Sequence, residues 1–131
     1  DDFHFSTAAG NIAWVLLSLL AAIEKAGRRE YLAPAQALAD WILKDFSGVS
    51  EPNGFTGSLD LVEGKFQIRG YKATEHNIDL YPVFFRLFRL TGDPRYERAA
   101  RLARSFVEWA WNPARGYFVT GTKEDGNTRE D

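Results

Sequence analysis

The chain contains no cysteine, which removes disulfide cross-links, zinc–thiolate sites and a cysteine nucleophile together and leaves the redox compartment unreadable. Methionine is absent as well, and the first residues read DDFHFST, which points to a processed or excised segment. A charge excess is also lacking. The 16 Lys and Arg are interspersed with 18 Asp and Glu for a net charge of -2, so no field steers the chain to nucleic acid or anionic lipid. The arginines between Arg95 and Arg104 fit a solvated helix face beside Glu97 and Glu108. Long apolar runs are scarce. Only Ile12 to Ile23 qualifies, and it falls short of the ~20 residues of a bilayer span and lies too far inside for an ordinary signal peptide, so it reads as a core helix. Phosphate-loop patterns are missing. Neither nucleic acid nor membrane insertion is therefore expected, and cytoplasmic and exported locations are not distinguished.

What is present favours one folded all-α unit: 131 residues, 45% hydrophobic, 15% aromatic and 26% charged. Four helices are predicted. Asn11 to Ala26 is apolar on nearly every side, which suits an inner helix covered by neighbours. Tyr31 to Phe46 is amphipathic and therefore outer. Ile78 to Leu90 is again inner, interrupted by Arg86 and Arg89, and Pro94 to Trp111 is outer, burying Tyr96, Ala99, Ala103 and Phe106 while exposing its arginines. Thr91-Gly92-Asp93-Pro94 supplies a helix-ending glycine, a capping aspartate and a first-turn proline for a tight antiparallel turn, and Gly27 plays the same part earlier.

The halves superpose at an offset of about 65 residues, pairing Phe5 with Tyr71, Asn11 with Asn77, Gly27 with Gly92 and Phe46 with Trp111. The expected organisation over residues 1–131 is a repeat of about 5–58, a long loop at 47–73, a second repeat of about 71–122 and a polar tail at 123–131. Within the loop, GSLDLVEG and KFQIRGY alternate well enough for a short β-hairpin. Long loops gather at the N-terminal ends of the inner helices, where function is expected.

Repeated inner and outer helices, with the phrases TEHNIDLY, GNIAWVLLSLLAAIEKAG and RLTGDPRYERAARLARSFVEWAWNPARGYFVTGT, resemble the (α/α) toroids of the six-hairpin glycosidase superfamily. That resemblance implies about six hairpins around a central cavity, acting on sugars through paired carboxylates. Two hairpins cannot close such a ring. A partial toroid or small helical array would leave apolar edges exposed and favour self-association.

The candidate site is the stretch YKATEHNIDLYPVF, residues 71 to 84. Glu75, His76 and Asp79 are the expected catalytic residues, because sugar hydrolysis needs a proton donor and a second carboxylate about 5 to 9.5 Å away. Asp79, placed in a first helical turn, is expected to be the base, with Glu75 or His76 as donor. Each has a plain alternative: Asp79 as a helix cap beside Pro82, Glu75 as a solvated loop acid, His76 as a packing histidine. Trp14, Tyr71 and Tyr81 are expected to stack on sugar rings, and otherwise to be core. Asn77, although shared with Asn11 by the repeat, joins them as a ligand contact, and Lys72 either binds an acidic sugar or pairs with Glu75. His4 has no metal-ligand spacing to His76, so neither metal nor cofactor is expected. A noncatalytic module binding glycan or protein is the competing reading.

Overall fold

The computed structural model describes residues 6–48 and 50–131; His4 and the pairing of Phe5 with Tyr71 lie outside the described residues. Four helices carry the structure: α1 (Ala9–Ala26), α2 (Leu32–Asp45), α3 (Thr74–Thr91) and α4 (Pro94–Ala110). The inner helices α1 and α3 lie side by side, and each turns back through a left-handed glycine, Gly27 at φ 67 and Gly92 at φ 72, into its outer partner. At the second turn Asp93 accepts the Arg95 amide at 2.9 Å, and Pro94 occupies the first helical position. Alanines let the outer helices approach closely: Ala35 and Ala39 on α2, and Ala99, Ala100 and Ala103 on α4, are all buried around Leu16, Leu20, Phe84 and Leu87. Arg86 forks onto Glu24 with its shortest contact at 2.7 Å, joining α3 to α1, and Tyr96 donates its hydroxyl to Asp40 at 3.0 Å, joining α4 to α2. By length and composition α1 could cross a membrane; here its apolar side forms the core.

The long loop contains the expected hairpin. Strands β2 (Ser58–Val62) and β3 (Lys65–Ile68) pair antiparallel around Glu63 and Gly64, both at positive φ, and β1 (Ser6–Ala8) adds a third strand. Residues 123–131, expected to be a polar tail, instead belong to the fold. After the small pair β4 (Trp111–Asn112) and β5 (Tyr117–Phe118), strands β6 (Gly121–Thr122) and β7 (Arg129–Glu130) close a ribbon whose turn is held by Asp125.

The repeat is visible in backbone bonds. Ala9 donates to Gly57 O and Thr74 to Thr120 O, both at 2.8 Å, so each inner helix is started by the loop returning from its own outer helix. Thr56 donates to Phe46 O at 2.8 Å and Val119 to Ala110 O at 2.9 Å in the same way. The predicted side-chain register is corrected, however. Asn77 is fully buried whereas Asn11 is exposed, and Leu80 is buried whereas Trp14 is 63% exposed. Aligning the helix ends pairs Ala9 with Thr74, and the two inner helices bury different sides because α1 packs against the hairpin that follows and α3 against the one that precedes.

The third helix begins at Thr74 rather than at Ile78. Its N-cap, Ala73, has no side-chain cap; Thr120 O and Val119 O, which accept the Thr74 amide and hydroxyl, fix the start instead. Pro82 therefore lies inside the helix and leaves the Ile78 carbonyl without its usual amide.

Asn77 locks the two hairpins together. Its Oδ1 accepts the Phe55 amide at 2.9 Å, and its Nδ2 donates to Phe55 O at 3.1 Å and Ala73 O at 2.9 Å. Replacing Asn77 by Ala strands a buried amide and carbonyl and should lower unfolding free energy by about 3 kcal/mol. Urea denaturation checks this; a loss below about 1 kcal/mol would mean the clamp is not structural.

Candidate functional site

The first two turns of α3 bring Glu75, His76 and Asp79 to the N-terminal end of the inner helices. Glu75 projects into solvent, its side chain 82% exposed, and its Oε1 lies 3.7 Å from Nε2 of the nearly enclosed His76 ring. Asp79, one turn further, is partly buried and feels both of these groups and Trp14 from α1. Trp14 belongs to the other inner helix. The fold thus gathers one large exposed ring and two carboxyl groups from two adjacent hairpins.

Burial dominates the electrostatics. It pushes the Asp79 carboxyl above its ordinary 3.8 against an opposing pull from His76, with Glu75 adding a lesser repulsion and Trp14 a lesser pull. It also lowers His76 below its ordinary 6.5, against the attraction of Glu75 and Asp79, so the imidazole is neutral at pH 7. Among the described residues the His76 Nδ1 is buried without a hydrogen-bond partner. An orphan acceptor is less costly than an orphan N–H, which places the ring proton on Nε2, facing Glu75.

The assignment of Asp79 to a first turn, and with it the capping alternative, is corrected: α3 starts at Thr74, and Glu75 is the acid in its first turn. Two expected ligand contacts are buried structural groups. Asn77 spends its amide on Phe55 and Ala73. Lys72 is fully enclosed, its ammonium donating to Ser50 O at 2.9 Å, Ser50 Oγ at 3.0 Å and Gly126 O at 2.8 Å, and burial lowers its pKa. Among the described residues it makes no ion pair with Glu75; its bonds tie the loop after α2 to the β6–β7 ribbon. Tyr81 is turned to the α4 side, stacked on Phe85 at 6.0 Å and lining a shallow pocket with Arg104, Val107 and Glu108. Tyr71 packs its ring on the bare Cα of Gly57 and lines a cleft of about 490 Å³ together with Glu75, Ile78, Phe118, Thr120 and Glu130.

Sequence reasoning missed Phe118, Glu130 and Gly10. The first two reach the cleft through the β5 and β7 strands, which no local pattern announces. Gly10 fell one residue before the helix expected from Asn11, so nothing local marked it; in the structure it lies in the first turn of α1, at a close approach. Here the approach is the His76 ring. Among the described residues no group of three or more acids, histidines or cysteines is placed to hold a metal.

No protein-family model and no curated protein matches the sequence. Solved structures do. A family 76 glycoside hydrolase from a bovine Bacteroides thetaiotaomicron strain superposes with a TM-score of 0.76 at 14% identity, over 96% of this chain and 26% of that one. The family 76 mannosidase of Bacteroides thetaiotaomicron VPI-5482 gives 0.75 at 12%, over 96% and 33%, and a D-mannose isomerase gives 0.73 at 15%, over 96% and 33%. At these identities the likeness is one of fold, that of the helical hairpins of an (α/α)6 toroid. This chain comprises two adjacent hairpins of it and spans about a quarter to a third of the length of the structures it matches.

The depressed His76 pKa has a consequence for stability. The unfolded chain takes up the proton first, so the contribution of neutral His76 is complete above pH 6.5 and is lost as pH falls below it through the folded value. Asp79 slopes the opposite way, its contribution falling as pH rises from 3.8 through its folded value. Thermal unfolding between about pH 5 and 7 should show a fall in stability toward the acid side that His76→Gln flattens; equal slopes in both proteins would rule the buried neutral ring out.

Proposed function

We propose that this chain forms part of the sugar-acting face of an (α/α) toroid enzyme that works on mannose-configured saccharides by general acid–base chemistry. The observation that carries the reading is the pairing of two unlike carboxyl groups beside an exposed ring. Asp79 is partly buried, and burial raises its pKa, as suits a proton donor; Glu75 faces solvent in the first turn of α3, where water can reach it. Glycoside hydrolysis divides its work in that way, one carboxyl protonating the leaving oxygen and the other attacking or activating water. The roles are therefore reversed from those expected from sequence. Trp14 offers a flat apolar face for a sugar ring. The mannose preference rests on likeness to a mannosidase and a mannose isomerase.

A second reading is favoured by the apolar row Ile78, Tyr81 and Phe85 along α3, exposed at 46%, 36% and 42%, with Val15 exposed on α1. Such an edge suits a noncatalytic module that associates with further copies or hairpins. One set of preparations separates the two. In the intact gene product, Glu75→Gln and Asp79→Asn should each reduce turnover of an α-linked mannooligosaccharide by about 100-fold or more with the circular dichroism unchanged. Unchanged turnover in both variants removes the enzymatic reading. Light scattering on the 14.8 kDa chain supports the module if it reports a multiple of that mass and opposes it if it reports a monomer.

A further inference from the structure

His76 is held in an unusual seat. The imidazole lies against α1 where Gly10 has no side chain: a Cβ on Gly10 would fall 2.5 Å from His76 Cδ2 and 3.0 Å from Nε2, closer than packed atoms approach. Gly10 itself is buried, in the first turn of a helix whose next residues are almost all apolar. No turn or positive φ asks for glycine there, since the positive-φ glycines lie elsewhere. The residue is 9% exposed, Nδ1 has no hydrogen-bond partner among the described residues, and Nε2 lies 3.7 Å from Glu75 Oε1.

We infer that Gly10 is a positioning residue, whose bare Cα seats the His76 ring so that its Nε2–H faces Glu75 across the junction of the two inner helices. The inference rests on the reading of Glu75 as a participant in sugar chemistry. It adds that the place of the His76 ring beside Glu75 depends on the other hairpin. His76 does not touch substrate; it acts through Glu75. Glu75 and Asp79 on its own helix, and Gly10 and Trp14 on α1, are the neighbours that set the local field and contact, and neither Gly10 nor Trp14 is a competing charge. A methyl group at position 10 would push the ring out of its seat, letting water reach it and breaking the approach to Glu75.

The test is a cycle of Gly10→Ala, His76→Ala and the double variant, read by melting temperature and by nitrogen NMR of the histidine rings. Only two histidines are present, so His4→Gln gives an unambiguous His76 signal. Alanine is the better helix former, so the bare preference would raise the melting temperature. The expected result is a drop in Gly10→Ala that disappears when His76 is also Ala. In the folded Gly10→Ala protein, the His76 titration should move up toward 6.5 and its Nε2–H tautomer should lose dominance. Turnover should fall about tenfold with KM little changed, and its pH profile should shift. Additive stability effects, or a His76 titration and tautomer untouched by Gly10→Ala, overturn the inference whether or not the protein turns over sugar. Loss of function in Glu75→Gln with no NMR change in Gly10→Ala would keep the sugar-acting reading and discard this one. Should Gly10→Ala not fold while the double variant does, the steric seat is confirmed by that rescue; should neither fold, the seat is refuted, because removing the ring then restores nothing.

Discussion

The fold depends on one amide. Asn77 is fully buried and holds the backbone of Phe55 by both its amide and its carbonyl, from 22 residues away. Phe55 in turn stacks on Phe84 of α3 with ring centroids 5.1 Å apart. The return loop of the first hairpin is thereby pinned beneath the second inner helix. The clamp works with the β1–β2–β3 pairing and the Thr56 and Ala9 backbone bonds to offset the closure entropy of the 27 residues from Ser47 to Ala73. Lys72 adds a second tie from the same segment, reaching Ser50 on one side and Gly126 on the other. The residues just before and within the first turn of α3 thus alternate between two duties: Lys72, Thr74 and Asn77 point inward and bind backbone, while Glu75 and Asp79 point toward the open end.

This alternation explains how the candidate site is held. A carboxylate on a mobile loop would cost side-chain and backbone entropy each time it was aligned, whereas here the neighbouring buried groups fix the helix start. Thr74, bonded to Thr120 O and Val119 O, sets where α3 begins and therefore which acid lies in the first turn. Asp79 lies far enough inside the helix to be partly desolvated, and its raised pKa follows from that position. Trp14 comes from α1, so its relation to Asp79 depends on the packing of one hairpin against the next.

Much of this was legible in the residues. The inner helices followed from apolar side chains on nearly every face, the turns from Gly27 and from Gly92-Asp93-Pro94, and the β2–β3 hairpin from alternation on either side of Glu63-Gly64. The start of α3 was not legible, because Ala73 carries no capping side chain and a distant carbonyl does its work. Nor was the duty of Lys72 and Asn77: a lysine and an asparagine beside two acids look like ligand contacts until the backbone groups they satisfy, most of them contributed by residues 22 to 54 positions away, are in view. The repeat register failed for a related reason. Asn11 and Asn77 share a letter but not an environment, since one inner helix has its neighbour ahead of it and the other behind.

The central claim is that the inner-helix N-termini of both hairpins form one sugar-binding face. Titrating the nitrogen-labelled chain with α-linked mannobiose and following the Trp14 indole N–H together with the amides of Glu75 to Asp79 tests it most directly. The expected result is that both sets shift along a single binding curve and that Trp14→Ala abolishes the response at Asp79. Shifts confined to the β2–β3 hairpin, or no shift at either set, would contradict it.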